Sequence, residues 1–184
     1  MQRNETVPSD RKSQILFGPS NLVELLRYHA SHQPDELAFA YLADGDEERF
    51  DLTYGELDRQ ARAIGAWLQS KGLSGHRALL LYPPGLEFIT AFFGCLYAGA
   101  VAVPLYPPRR NRSLDRIQAV VRSSDARAAL TTEVVLNRVA PIIAESDDLQ
   151  QLNWLPTSSS PSQIENQWEM PDVGPDSLAF LQFS

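Results

Sequence analysis

The stretch from Leu86 to Tyr106 constrains this chain more than any other, because it runs for 21 residues with Glu87 as its only charge. That length is enough to span a bilayer. Two residues redirect the reading. Gly99 stands where a helix from Glu87 to Ala98 would stop, and Ala100-Val101-Ala102-Val103 then reads as a short strand ended by Pro104. A buried helix followed by a buried strand fits this pattern better than a membrane span, and no span is expected.

The flanking sequence repeats the same alternation. Thr53 and Glu56 have the spacing of a capping box, and Leu57, Ala61, Ile64 and Leu68 lay an apolar stripe along a helix reaching Gly72. Strands are expected at Ala78 to Tyr82, Val101 to Leu105 and Ala128 to Leu130, with a helix at Leu114 to Ser123 between the last two. Thr132 can cap a further helix, broken or kinked at Pro141, and Gln151 to Leu155 reads as another strand. The fold class that follows is α/β, a mostly parallel sheet with crossover helices. Upstream, Asn21 and Glu24 resemble a helix cap, with Leu22, Leu25, Leu26 and Ala30 at helical spacing until Pro34. Leu37 to Leu42 and Arg49 to Leu52 flank the acidic turn Asp44-Gly45-Asp46-Glu47 as a hairpin. Residues 1–19 lack periodicity and are expected to be a mobile terminus. Thr157 to Pro175, with its three prolines and serine run, reads as a surface loop, and Leu178 to Leu181 as one more buried strand after which the sequence stops. Stopping there points to a truncated chain, because such strands normally lead into a functional loop.

At 184 residues the chain has the size of one ordinary domain, and 16 basic against 23 acidic residues give a net charge of −7. A field of that sign repels phosphate backbones and anionic membranes, so nucleic-acid binding is not expected. The single cysteine, Cys95, rules out an intramolecular disulfide, and with no leader at the start the chain reads as cytoplasmic.

Candidate chemistry is sparse. Leu81-Tyr82-Pro83-Pro84 recurs 24 positions later as Leu105-Tyr106-Pro107-Pro108, each copy ending an expected strand. Both turns then sit at the carboxyl edge of neighbouring parallel strands, where open α/β sheets keep their ligand crevice. Tyr82 and Tyr106 are either stiff turn residues or the wall of a pocket. Arg109, Arg110, Arg112, Arg116, Arg122 and Arg127 concentrate positive charge against Asp115 and Asp125, as a solvated face or as a dock for phosphate or an acidic partner. His29, His32 and His76 lack ligand spacing, Cys95 lies among apolar neighbours, and no metal site is expected. No glycine-rich nucleotide fingerprint or phosphate-loop triplet appears, and Lys12 and Lys71 are the only lysines.

Three segments carry a more specific signal. Leu79 to Phe88, Ala91 to Ala100 and Pro104 to Arg112 closely resemble the fatty acyl-AMP ligases of the adenylate-forming superfamily, supported by Leu52 to Asp58, Leu130-Thr131-Thr132 and Leu178 to Ser184. The Tyr106-Pro107-Pro108-Arg109-Arg110 turn is the more discriminating element. The resemblance runs from about Leu22 to Ser184 and implies that residues 20–184 are the N-terminal α/β subdomain of an AMP-binding domain, cut before its phosphate loop. It implies a reaction in which a fatty carboxylate attacks the α-phosphate of Mg-ATP, and the acyl group then passes to an acyl carrier protein or a downstream polyketide or peptide synthase. Ser184 aligns with the first hydroxyl residue of that loop, while Tyr82, Tyr106, Arg109 and Arg110 are candidates for a substrate or partner rim. The resemblance further implies that ATP and Mg2+ serve the full-length enzyme only, that this portion is inactive alone, and that it packs against the remainder of the ligase through an apolar seam. A non-catalytic interaction module, and a portion of an acyl-CoA ligase or a peptide-synthetase adenylation domain, are the alternatives.

Overall fold

A computed structural model describes residues 18–43, 48–108, 115–161 and 163–183. The hairpin tip at 44–47, Arg109, Arg110, Arg112, Ser184 and nearly all of the 1–19 segment lie outside the described residues. Four parallel strands form the central sheet in the order β4-β3-β5-β6, with β3 Arg77–Leu81, β4 Val101–Leu105, β5 Ala126–Thr131 and β6 Asn153–Pro156. Both faces are covered, which explains why the strands read as unbroken apolar runs instead of alternating. Ala78, Leu80 and Tyr82 face α2 (Tyr54–Ser70) and α3 (Leu86–Ala98), while Leu79 and Leu81 face α4 (Asp115–Ser124) and α6 (Asp147–Gln150). The antiparallel hairpin β1 (Leu37–Ala43) and β2 (Glu48–Thr53), together with α1 (Leu22–His32), packs on the outer side of α2 and α3.

Local signals place the helix starts. Thr53 and Glu56 exchange both capping-box hydrogen bonds, Asn21 accepts from the Glu24 amide at 3.0 Å, and Thr132 accepts from the Val135 amide at 3.1 Å. Gly99 closes α3 in the left-handed conformation, φ 69°, as the chain turns into β4. One node ties these layers together. Asp58 on α2 is almost wholly buried and accepts from Arg27 of α1 at 2.9 Å, from Arg62 at 2.9 Å and from the Tyr97 hydroxyl of α3 at 2.8 Å. Burial first, and the adjoining carboxylate second, push the Tyr97 phenol above its usual range, so it stays a donor.

Four expectations need correction. The helix α5 (Glu133–Ala144) is not broken at Pro141 but continues past it, with Ile142 and Ile143 packed against the sheet; only the hydrogen bond that a Pro141 N–H would make is forgone. On α1 the buried residues are Val23 and Leu26, whereas Leu22 and Leu25 face outward. Thr157 to Pro175 is not simply a surface loop: Ile164 is buried in the core, and the Trp168 indole lies against Tyr97 with Nε1 donating to the Tyr97 carbonyl at 2.7 Å. Leu178 to Leu181 is not a buried strand. It runs beside β4, held by two hydrogen bonds that bracket Ala102, with Leu178 and Phe180 half exposed.

Candidate functional site

Leu81 and Leu105 are register partners on β3 and β4, so the two Tyr-Pro-Pro turns leave the sheet side by side at its carboxyl edge. There they border an open groove of about 860 Å³. The N-terminal half of α3 supplies one wall, the 180–183 segment and the end of β4 another, and β1 lends Phe39 and Tyr41 from above. The helix reaches the groove because Gly85, φ 156°, makes the sharp turn from Pro84 into α3. Aromatic rings span the groove in sequence: Phe39 lies 6.4 Å from Phe93, Phe93 6.0 Å from Phe92, and Phe92 5.9 Å from Phe180. These separations and tilted geometries are those of favourable aromatic pairs. The groove stays open to solvent, with Phe39 at 37%, Phe180 at 47% and Tyr106 at 76% exposure.

Tyr82 and Tyr106 both line this groove but differ in kind. Tyr82 is buried and its hydroxyl donates to Thr157 Oγ1 at 3.1 Å, while Thr131 Oγ1 donates to the Leu81 carbonyl at 2.8 Å. Burial pushes the Tyr82 phenol well up, which makes it a fixed neutral donor and not a base. The crevice between β3 and β5, where the strand order reverses, is closed by these contacts. Tyr106 by contrast stands out into solvent. Arg109, Arg110 and Ser184 lie outside the described residues.

The described arginines of the basic run do not form one patch. Arg122 pairs with Asp148 at 2.6 Å, Arg127 lies 3.2 Å from His76 at the opposite edge of the sheet, and Arg116 turns toward the groove. Cys95 is wholly buried, and burial pushes its thiol up to about 12, which leaves it inert packing. His29 stacks on Tyr54 and His32 on Tyr28, both as surface pairs. Sequence reasoning missed Arg116 as a groove residue, and it missed the aromatic walls. Phe92 and Phe93 were visible as an apolar helix face, but nothing local in the sequence shows that Phe39 and Phe180 meet them.

The profile of the family described as AMP-binding enzyme matches residues 26–184. The chain belongs to that family. Among its relatives, the medium-chain-fatty-acid–[acyl-carrier-protein] ligase JamA of Moorena producens is 39% identical over 90% of this chain and 28% of its own length. The long-chain-fatty-acid–AMP ligase FadD32 of Mycolicibacterium smegmatis is 31% identical over 96% of this chain and 29% of its own. A solved structure of the fatty acyl-adenylate ligase from L. pneumophila, in complex with acyl adenylate and pyrophosphate, matches with a TM-score of 0.82 at 33% identity, over 94% of this chain and 29% of that one. The 184 residues of this chain therefore span less than a third of the length of these relatives. Among its described residues, no helix is long and apolar enough to cross a membrane.

Proposed function

We propose that this chain is the first α/β unit, residues 20–184, of a cytoplasmic ligase that joins a fatty acid to AMP from ATP and hands the acyl group to an acyl carrier protein. The observation that carries this reading is the match to the L. pneumophila fatty acyl-adenylate ligase, TM-score 0.82 at 33% identity. The carrier-protein acceptor rests on the similarity to JamA, 39% over 90% of the chain. Within this reading the aromatic groove is one wall of the acyl site, with Tyr82 and Tyr106 on its border and Arg109 and Arg110 following Tyr106 in sequence.

Magnesium and a triphosphate find no matching donors among the described residues of the groove. These offer one cation and no carboxylate, and the described residues contain no cluster of three or more metal-ligating side chains. The nucleotide chemistry is accordingly assigned to the rest of a ligase of the relatives' length, beginning with a phosphate loop at Ser184, and residues 1–184 alone are assigned no adenylating activity. Pyrophosphate exchange into ATP, driven by medium- and long-chain fatty acids, tests this on residues 1–184 and on the sequence extended to the relatives' length. Exchange only in the extended protein, followed by acyl transfer to a carrier protein, is the expected result. Exchange by residues 1–184 would refute the division of labour, exchange driven by amino acids would favour a peptide-synthetase domain, and transfer to coenzyme A would favour an acyl-CoA ligase.

A further inference from the structure

Arg116 is the single charged side chain among the described residues that line the groove. Among the described residues its Nη2 donates to the Phe183 carbonyl at 3.4 Å, a long contact. Arg122, further along the same helix, is by contrast paired with Asp148. The rings of Phe39, Phe93, Phe92 and Phe180 line the same groove as a connected apolar floor. The complement of such a surface is an amphiphile with one anionic head and a hydrocarbon tail. A planar head bearing two oxygens suits the guanidinium fork better than a point charge does.

We propose that Arg116 is the head-group anchor of the groove, binding the carboxylate of a fatty acid whose tail lies along the aromatic floor. This rests on the reading of the groove as an acyl site. The head group then sits where Arg116 meets the Phe183 backbone at the rim of the groove. Because Arg116 is solvent-exposed, screening keeps the gain modest, about 1.5- to fivefold in affinity.

The test is equilibrium binding of dodecanoate and of dodecanol, measured by displacement of an apolar fluorescent dye from the 184-residue chain at pH 8, for the unaltered protein, Arg116→Gln and Arg116→Lys. The unaltered protein should prefer dodecanoate by about 1.5- to fivefold. Arg116→Gln should abolish that preference while binding dodecanol as before, which also shows its groove intact, and Arg116→Lys should keep part of it. A preference retained in Arg116→Gln would overturn the anchor and leave the acyl groove standing. Equal loss of both ligands would reduce Arg116 to a packing role. Binding of neither by the unaltered protein would overturn both the anchor and the groove, whatever the exchange assay on the extended protein shows.

Discussion

Gly94 faces Ile64 across the α2–α3 contact so closely that a Cβ placed on it would lie 2.6 Å from the Ile64 Cβ. That atom is fixed to the α2 backbone and cannot swing aside, so the helices themselves would have to part. Alanine gains about 1 kcal/mol over glycine in helix propensity, but separating a packed helix pair costs about 1–3 kcal/mol. Gly94→Ala should therefore lower stability by up to about 2 kcal/mol, read as a reduced urea midpoint at unchanged slope; an equal or higher midpoint would show that the contact relaxes freely. At this scale the sequence was informative where chemistry is local. The capping box of Thr53 and Glu56 and the inert setting of Cys95 depend on neighbours along one helix. Arg116 was not legible as a groove residue, because within its run of arginines nothing marks which one turns to the carboxyl edge of the sheet.

Elements announce themselves through their ends. The Thr53 hydroxyl and the Glu56 carboxylate each accept from the other residue's backbone amide, at 3.3 and 3.0 Å, and the bonds that the carboxylate accepts from Thr53 hold the carboxyl of Glu56 below its ordinary range. Thr53→Ala removes half of that exchange and should cost about 1 kcal/mol. Chemical denaturation of the variant checks this, with Thr53→Ser expected to restore most of the loss, and no change in the alanine variant would mean that α2 is held by packing alone. Gly99 likewise marked the passage from α3 to β4. At Pro141 the expected break does not occur: α5 runs on to Ala144, and Ile142 and Ile143 beyond the proline pack partly buried against the core. Leu178 to Leu181 misled for another reason: four apolar residues look like a core strand, but the segment pairs with β4 only through the Ala102 bracket, and Leu178 and Phe180 stay half exposed.

For the molecule as a whole, the exposed apolar side chains include Phe39, Tyr106 and Phe180 around the groove, Leu178 beside it in sequence, and Leu22 and Leu25 on α1. Exposed apolar surface drives dye binding and association in an isolated domain. Residues 1–184 should enhance the fluorescence of an apolar dye and sediment with a concentration-dependent mass, and replacing Phe39 and Phe180 with serine should weaken both. A dye-silent monomer at high concentration would contradict an exposed seam. The parallel sheet was readable because alternating helices and strands leave few other topologies. The groove was not, since its walls come from residues as far apart in sequence as Phe39 and Phe183.

The two margins of the central sheet are protected by unlike means. On one side β6 is only four residues long and ends in Pro156, which leaves little ladder for a stranger to join. On the other, β4 is capped by the late-returning 178–181 segment, tethered upstream where Asn21 donates to the Val173 carbonyl at 3.3 Å. A proteolytic nick between Val173 and Leu178 would loosen that cover and bare a short, wholly apolar template for edge-to-edge aggregation.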